Sequence, residues 1–326
     1  MSNELISVIV PNYNHSLFLK ERIDSILEQT YSNFEIIILD DCSTDNSREI
    51  IEAYRNNPKV YQIIYNENNS GSTFKQWNKG IGLARGEYIW IAESDDYAKP
   101  RLLEVLYKGF EDDSGAVLSY TQSYRMNKEG VVTGNWREQT MNMRHTEVFD
   151  TDFTMPGIDF IQKFLIYKNV IPNVSAVLFK KNAYLKVGGV DMQIKYCADW
   201  LLWLKLGLEG DIFFSEEKLN YFRYHSESVI GSFLKSKNKF FPRQYDIYAR
   251  KSYNQYLDKH SDFPSSCRQT IKEMNFACLS RDYLDGAYTC YQNNKCFLAL
   301  ENLLNAVYYS KDPISILRKF FRYLSK

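Results

Sequence analysis

The chain has 326 residues, of which 44% are hydrophobic and 25% charged, and its 40 basic and 40 acidic side chains leave a formal net charge of zero. These values are ordinary for folded proteins, and they exclude a disordered chain, a collagen-like repeat and a small disulfide-stapled scaffold. The longest apolar runs are far shorter than the ~20 residues of a membrane-spanning helix, and the first residues lack the basic start and cleavage site of a signal peptide.

The first hundred residues alternate short apolar runs with segments of helical periodicity. The runs predict strands at 7–10, 34–39, 60–65 and 88–92, and the periodic segments predict helices at 17–30, 46–55, 74–84 and from Pro100 onward. Strands that are apolar on both faces and separated by helices indicate a parallel sheet covered by helices. We therefore predict an α/β fold with a Rossmann-like, mostly parallel sheet.

From residue 112 onward the pattern is less regular. Short strands are predicted at 117–120, 175–179 and 212–214, with a helix over 199–208 and helical periodicity from about residue 240 to the end. Residues 231–326 carry 16 basic and 8 acidic side chains, whereas the first 230 residues carry 24 and 32. This asymmetry predicts a basic, helical C-terminal region that differs in its partners from the rest of the chain.

Polar clusters follow three of the predicted strands, at 12–14, 40–41 and 93–96. Ligands of such sheets bind beyond the carboxyl ends of the strands, so we expect the three clusters to converge on one crevice. No G-x-G-x-x-G or Walker A sequence is present, which argues against a dinucleotide or P-loop site. The carboxylates at 93–96 could instead share Mg²⁺ or Mn²⁺ with the phosphates of a ligand.

Each candidate residue also has a purely structural interpretation. The acidic cluster could be a solvated turn, Asp41 could cap the following helix rather than bind a base or ribose, and Tyr13 could pack rather than stack on a nucleobase. Asp199 lies beside Trp200, where partial desolvation would suit a general base, but it could also be a helix N-cap. His225 could bind metal or phosphate with Arg223 nearby, although a lone histidine is more often structural.

Six short motifs occur in a characteristic order. They are Ser7–Asn14, Glu35–Asp45, Gly80–Ile89, Glu93–Asp96, Ala198–Trp200 and Arg223–His225. In sequence and order they resemble the motifs of the family 2 inverting glycosyltransferases, which have the GT-A fold. The resemblance covers roughly residues 5–230 and is strongest over 5–110.

The resemblance implies roles for individual residues. Pro11 and Tyr13 would line the nucleobase pocket, and Asp41 would hydrogen-bond the base, commonly uracil. Asp95, the last carboxylate of the D-x-D-like motif, would bind Mn²⁺ or Mg²⁺. The other implied roles are Glu93 and Asp96 as supporting metal ligands, His225 at the metal or diphosphate, and Asp199 as the base that deprotonates the acceptor hydroxyl. Apart from the resemblance, we add four candidates near the acceptor or diphosphate: Trp200, Arg223, Asn173 and Ser175.

The sequence departs from the family pattern at three positions. Glu93 replaces the first aspartate of D-x-D, and Ala198 leaves Asp199 as the single acidic residue before Trp200. The segment 71–78 lacks the usual arginine, and Lys75 could supply the positive charge for nucleotide binding in its place.

We therefore expect a metal-dependent inverting glycosyltransferase that uses a nucleotide-diphospho-sugar, with UDP favoured, and a glycan or lipid-linked saccharide acceptor in surface polysaccharide biosynthesis. Residues 1–230 would form the catalytic domain, divided near residue 110 into nucleotide-sugar and acceptor halves. Residues 231–326 would form the helical region, which could contact an anionic membrane or mediate a homodimer. A catalytically lapsed nucleotide-sugar scaffold and a nucleotidyltransferase are the alternatives.

The expected location is the cytoplasm, with peripheral association at the membrane face as an option. The six cysteines form no C-x-x-C pair and have no histidine at metal-ligand spacing, which favours reduced thiols. The basic residues are dispersed and the chain is neutral overall, so nucleic-acid binding is not expected.

Overall fold

A computed structural model describes residues 4–113, 115–194, 197–225, 244–260 and 264–324. Within them the chain forms a mixed α/β fold around a ten-stranded sheet. The strands are β1 (Ile6–Asn12), β2 (Phe34–Asp40), β3 (Val60–Tyr65), β4 (Tyr88–Ile91), β5 (Tyr97–Ala98), β6 (Ala116–Met126), β7 (Val132–Asn135), β8 (Phe153–Met155), β9 (Val177–Lys180) and β10 (Asp211–Arg223). The helices are α1 (Ser16–Leu27), α2 (Ser47–Glu52), α3 (Thr73–Leu83), α4 (Leu102–Asp112), α5 (Gly157–Phe160), α6 (Lys181–Lys186), α7 (Ala198–Leu206), α8 (Gln244–Lys259), α9 (Ser265–Gln292), α10 (Cys296–Tyr308) and α11 (Pro313–Leu324).

The sheet has a parallel half and a mixed half. Its order is β3-β2-β1-β4-β9-β6-β10-β5, with β7 paired to β6 and β8 to β10. The first four strands in this order are parallel to one another. Strand β9 then runs antiparallel to both β4 and β6, and β10 runs parallel to β6. The parallel half matches the predicted Rossmann-like sheet, and the carboxyl ends of β1, β2 and β4 share one edge.

Alternation along the buried strands explains why both sheet faces are covered. Successive side chains of a strand point to opposite faces. In β1, Val8 packs in the cluster that includes α1 and α4, whereas Ile9 packs in the cluster that includes α3 and α7. Each face therefore requires helices, and the βα repeats of the first hundred residues supply them.

Most predicted elements are confirmed, and their limits are corrected. The helix predicted from Pro100 begins at Leu102, because the carbonyl oxygen of Pro100 accepts the backbone N–H of Thr30 at 2.8 Å. Strands β6 and β10 are much longer than expected because they pair with each other along most of their length. The tail helix is confirmed, and Asp312 caps it by accepting the backbone N–H of Ser315 at 3.0 Å.

The C-terminal helices extend the core of the sheet domain. Ala249 and Tyr253 of α8 and Ile271 of α9 lie in the same apolar cluster as Trp200 and Trp203 of α7. A separate cluster joins the second half of α9 to α10 and α11. The helical region is thus continuous with the sheet domain at α8, and a boundary near residue 230 remains a prediction. None of the helices within the described ranges is both long and apolar enough to cross a bilayer.

Candidate active site

A cavity of about 630 Å³ opens at the carboxyl edge of the parallel half-sheet. All three predicted polar clusters contribute to it, as expected for a sheet of this topology. Its walls include Pro11, Asn12, Tyr13, His15, Asp41, residues 71–76, Glu93, Ser94 and Asp95, with Met192 and Gln193 at the side.

Polar side chains tie the loop after β1 to the loop after β2. Asn12 donates from Nδ2 to Oδ1 of Asp40 at 2.9 Å, and the backbone N–H of Asn14 donates to Oγ of Ser43 at 2.9 Å. Asn14 and Cys42 both have positive φ values, 56° and 65°, which are uncommon for residues other than glycine. The two loops are thus held in tight turns, which keep Tyr13 and Asp41 at the cavity wall.

Asp41 organises the loop that follows β3. Its carboxylate accepts hydrogen bonds from Nδ2 of Asn66 at 2.6 Å, from Nε2 of Gln76 at 2.9 Å, and from both the backbone N–H and the hydroxyl of Ser70. Lys75 donates from Nζ to the carbonyl oxygen of Ser70 at 2.9 Å, so it too reinforces this loop. Binding a base at Asp41 would require one of these donors to give way.

Glu93 accepts hydrogen bonds from two neutral side chains of α3. Its Oε1 accepts the indole N–H of Trp77 at 2.7 Å and the hydroxyl of Thr73 at 3.2 Å. Burial, together with the charge of Asp95, raises the pKa of Glu93 to about 8. Trp77, rather than Lys75, thus provides the hydrogen bond to Glu93, because the Nζ of Lys75 is engaged with the Ser70 carbonyl oxygen.

Asp95 contacts histidines, whereas Asp96 contacts the structural framework. Nε2 of His225 lies 3.0 Å from Oδ2 of Asp95. Burial alone would raise the pKa of Asp95, but the hydrogen bond to His225 and the charge of His15 hold it below its ordinary value. Asp96 accepts Nδ2 of Asn173 at 2.6 Å and the backbone N–H of Arg223 at 3.0 Å, and burial raises its pKa to about 7.

His15 completes a cluster of possible metal ligands that the sequence analysis did not identify. One ligand atom from each of His15, Asp95 and His225 lies within 4.8 Å of the other two. Nδ1 of His15 lies 2.8 Å from Oγ of Ser94, and the two imidazole rings meet edge to face with their centroids 5.5 Å apart. One carboxylate and two imidazoles form a donor set that fits a divalent cation.

Asp199 lies in the first turn of α7. Asn169 donates from Nδ2 to its Oδ2 at 3.2 Å, and burial raises the pKa of the carboxyl group. The neighbouring Trp200 donates its indole N–H to the carbonyl oxygen of Leu165 at 2.8 Å, and the Arg250 guanidinium lies 4.7 Å from the Trp200 ring centroid. A carboxylate with a raised pKa and a fixed orientation is suited to accept a proton.

The family assignment follows from comparison with known proteins. Residues 7–170, half of the chain, match the model of the family described as glycosyl transferase family 2. The chain belongs to glycosyl transferase family 2. Its six sequence motifs and the cavity at the carboxyl edge of the sheet agree with this assignment.

Curated relatives match part of the chain. The glycosyltransferase GlyG of Streptococcus pneumoniae is 42% identical over 123 residues, which are 37% of this chain and 40% of GlyG. TuaG of Bacillus subtilis, described as a putative teichuronic acid biosynthesis glycosyltransferase, is 34% identical over 126 residues, 39% of this chain and 49% of TuaG. The chain thus spans less than half the length of these relatives.

Solved structures confirm the GT-A type of fold. A crystal structure of TarS from Staphylococcus aureus in complex with UDP-GlcNAc superposes with a TM-score of 0.65 at 18% identity, covering 93% of this chain and 91% of that one. The mannosyltransferase PcManGT of Pyrobaculum calidifontis, in complex with GDP-Man and Mn²⁺, has a TM-score of 0.54 at 16% identity and covers 98% and 80%. At these identities the likeness establishes the fold alone.

Seven of the predicted site residues in this family 2 chain do not line the cavity: Asp96, Asn173, Ser175, Asp199, Trp200, Arg223 and His225. Ser175 is fully buried, and its hydroxyl accepts the backbone N–H of Glu93 at 3.1 Å. Asn173 joins Asp96 to Asn220, and the buried Arg223 donates from Nε to the carbonyl oxygen of Asp95 at 2.8 Å. With Trp200, these residues hold the acidic segment and α7 in position.

Other contributors were not apparent in the sequence. Trp77 and Asn169 each donate to a carboxylate, but an isolated tryptophan or asparagine in a helix or turn gives no signal of such a contact.

Arg22 of α1 is fully buried, and its guanidinium lies 4.8 Å from the Trp90 ring centroid, with no hydrogen-bond partner among the described residues. Burial lowers its pKa to about 10, and the charges of Asp96, Asp95 and Glu93 oppose that change. Only His15 had a usable signal, since it follows the polar end of a predicted strand.

Proposed function

We propose that the chain transfers a sugar from a UDP-sugar to a hydroxyl group of a glycan or lipid-linked acceptor, with a divalent cation and with inversion at the anomeric carbon. The observation that carries this proposal is the convergence of Asp41, Asp95 and His225 with the loops after β1 and β2 at one edge of the sheet. The TarS structures with UDP and UDP-GlcNAc support the choice of donor.

The nucleoside would occupy the end of the cavity near Pro11, Tyr13 and Asp41. Tyr13 is exposed there and can stack on a base, and the Asp41 carboxylate can accept an N–H from it. The Lys75 ammonium lies on the same wall and can approach the diphosphate when it leaves the Ser70 carbonyl oxygen. These three groups would set the affinity for the donor rather than the chemical step.

Asp95 and His225 would hold the cation, with Glu93 and Asp96 as supporting carboxylates. When bound, Mn²⁺ or Mg²⁺ would neutralise the charge that develops on the departing diphosphate. Asp95 suits this role because its lowered pKa keeps it ionised. Glu93 is held by Trp77 and Thr73, and Asp96 by Asn173 and Arg223, so both would act chiefly by positioning Asp95.

Asp199 would take the proton from the acceptor hydroxyl. Its raised pKa makes it a stronger base than an ordinary aspartate, and the hydrogen bond from Asn169 orients it. A base on the face opposite the leaving group produces direct displacement and inverted configuration. Positioned general bases typically contribute ~10²–10⁴-fold to the rate.

The acceptor would approach from the side of residues 111–230. A second, open cavity of about 1050 Å³ is lined there by Arg144, Lys163 and Lys168, and by Arg281 of α9. Lys168 of this cavity is followed in the chain by Asn169, whose side chain donates to the Asp199 carboxylate. Asp246 and Arg281 also line this cavity, so the C-terminal helices would contribute to the acceptor side beyond the proposed catalytic domain of residues 1–230, with its donor half before residue 110 and its acceptor half after it.

The C-terminal helices carry features that suit an anionic lipid surface. On α10, Phe297 (81% exposed), Leu300, Leu304 and Tyr308 (79% exposed) form a stripe on the side opposite its buried face. On α11, Ile314, Leu317 and Phe321 form a second exposed stripe, and Arg318 and Arg322 lie beside it on the helix. Apolar stripes flanked by basic residues favour interfacial binding to anionic lipids. We therefore propose peripheral contact with the cytoplasmic leaflet, which the six cysteines, none of them in a disulfide, also suit.

Vesicle flotation tests the membrane proposal. The chain should float with phosphatidylglycerol-rich vesicles but not with neutral phosphatidylcholine vesicles, and the double variant Phe297→Ser/Phe321→Ser should lose this binding. Leu185→Ser removes an exposed leucine on α6 and serves as the control. Equal flotation of the double variant would contradict the proposal, and a dimer that the double variant disrupts would assign the stripes to a second copy.

Donor binding tests the enzymatic proposal. Isothermal titration with UDP, GDP and dTDP, with and without Mn²⁺, should reveal metal-dependent binding of UDP that Asp95→Ala abolishes. Asp112→Ala, an exposed acidic residue of α4, is the matched control and should bind UDP normally. A chain that binds no nucleoside diphosphate under any of these conditions would contradict the proposed function.

A further inference from the structure

The cluster of His15, Asp95 and His225 offers more than the two ligands assigned above. Its three ligand atoms lie within 4.8 Å of one another. Atoms bonded to one cation at ~2.0–2.2 Å stand about 3 to 4.4 Å apart, so a small movement of the side chains would bring all three to one ion. His15 also lines the cavity in which the diphosphate would lie, together with Asp95.

The surroundings of His15 are those of a held ligand rather than of a mobile surface histidine. Ser94 contacts Nδ1 at 2.8 Å, and a partner on one ring nitrogen fixes the ring orientation and leaves the other nitrogen to bind metal. Phe18 packs against both imidazoles, with ring centroids 6.2 Å from His15 and 5.0 Å from His225. Phe18 is in turn covered by Arg223, whose guanidinium lies 4.7 Å from its ring centroid.

We propose that His15 is a third protein ligand of the cation, so that the chain provides two imidazoles and one carboxylate and selects a first-row transition metal over Mg²⁺. The inference rests on the proposed function, because the cation is the one that would hold the donor diphosphate. Imidazole nitrogen suits transition metals, whereas Mg²⁺ prefers oxygen ligands and retains several waters. A set of two histidines and one carboxylate also leaves coordination positions open for phosphate oxygens.

Direct metal titration tests this assignment without any turnover. Mn²⁺ binding to the nucleotide-free chain would be followed by electron paramagnetic resonance, Mg²⁺ by competition, and Co²⁺ by its visible absorption. Removal of outer contacts to a metal ligand costs 10–100-fold in affinity, so His15→Ala should weaken Mn²⁺ and Co²⁺ binding by at least ~10-fold. It should change Mg²⁺ binding much less, and it should alter the Co²⁺ spectrum.

Two variants and one further titration separate the outcomes. His145→Ala removes an exposed histidine whose side chain is 70% accessible, and it should leave all metal affinities unchanged. Ser94→Ala should weaken Mn²⁺ binding less than His15→Ala does. If His15→Ala leaves the ratio of Mn²⁺ to Mg²⁺ affinity unchanged while UDP still binds, His15 is only a hydrogen-bond partner of Ser94 and the inference is wrong. If the unmodified chain binds UDP but no metal, the inference is also wrong, whereas failure to bind UDP at all would overturn the proposed function.

Discussion

Arg250 connects the C-terminal helices to the segment that supports Asp199. Its buried guanidinium donates to Oδ2 of Asp282 at 2.7 Å, to the carbonyl oxygens of Ile166 at 2.6 Å and Tyr167 at 3.2 Å, and to Oδ1 of Asn275 at 3.1 Å. The Arg250→Met substitution keeps most of the side-chain volume but removes all four hydrogen bonds. Loss of one partner of a buried ion pair costs about 3–5 kcal/mol, and we expect this decrease in the free energy of unfolding.

Urea unfolding followed by circular dichroism and tryptophan fluorescence measures this change. Arg281→Met is the matched control, because Arg281 is half exposed and lies 3.6 Å from the same carboxyl group of Asp282. Arg281→Met removes only a half-exposed partner, and the buried Asp282 carboxylate keeps its ion pair with Arg250, so the control should remain within about 1 kcal/mol of the unmodified chain. A loss below ~1 kcal/mol for Arg250→Met would refute the argument that this network joins the two regions.

Three further predictions concern packing, donor affinity and pH. Gly157→Ala should lower the free energy of unfolding by at least ~1–3 kcal/mol, because the added Cβ would lie 2.2 Å from the Gly207 carbonyl oxygen. Gly82→Ala, on an open helix surface, should instead raise the free energy of unfolding by ~0.5–1 kcal/mol, and urea titration measures both changes. Asp41→Asn should raise KM for the donor at least ~10-fold with little change in kcat, because the proposed hydrogen bond from the base would lose its charged acceptor. An equal fall in kcat would contradict this. Burial raises the pKa of Asp199, and only the ionised carboxylate accepts a proton. As the pH decreases, kcat/KM should therefore begin to fall at a pH above the ordinary carboxyl range near ~4. A fall in kcat/KM that occurs only at or below that range would contradict the assignment of Asp199 as the base.

The βα half of the fold could be predicted because its information is local. The apolar strand 34–39 and the turn after Asp40 specify a buried parallel strand and its exit without reference to the rest of the chain. The strand-end rule then predicts that Asp41 and Asp95 meet, since parallel strands deliver their carboxyl ends to one edge. The structure brings both to the same cavity.

The remaining features depend on contacts between distant segments. Arg250 looks like an ordinary surface charge in a tyrosine-rich helix, and only the packing of α8 on α9 brings it to Asp282. Trp77 fits the apolar stripe of α3, and its contact with Glu93 depends on how α3 packs against β1 and β2. Asn173 and Ser175 have residue types suited to a ligand, but tertiary packing turns them toward the acidic segment instead.

The apolar stripe on α10 illustrates a different limit. Leu303 and Ala306 are buried, whereas Leu300 and Leu304 are exposed, so this helix is apolar on opposite sides. Periodicity predicts a buried helix for such a sequence, and it cannot tell which side packs on α9. The same limit applies to α11, in which Ile316 and Phe320 are buried whereas Ile314, Leu317 and Phe321 are exposed.

The central claim is inverting transfer of a sugar with Asp199 as the base. The most direct test is to incubate the chain with the donor it binds, Mn²⁺ and an acceptor saccharide, and to determine the anomeric configuration of the product by nuclear magnetic resonance. Asp199→Asn should bind the donor normally and lower kcat by ~10²–10⁴-fold, and the product of the unmodified chain should have the configuration opposite to that of the donor. A product that retains the donor configuration, or full activity of Asp199→Asn, would contradict the account.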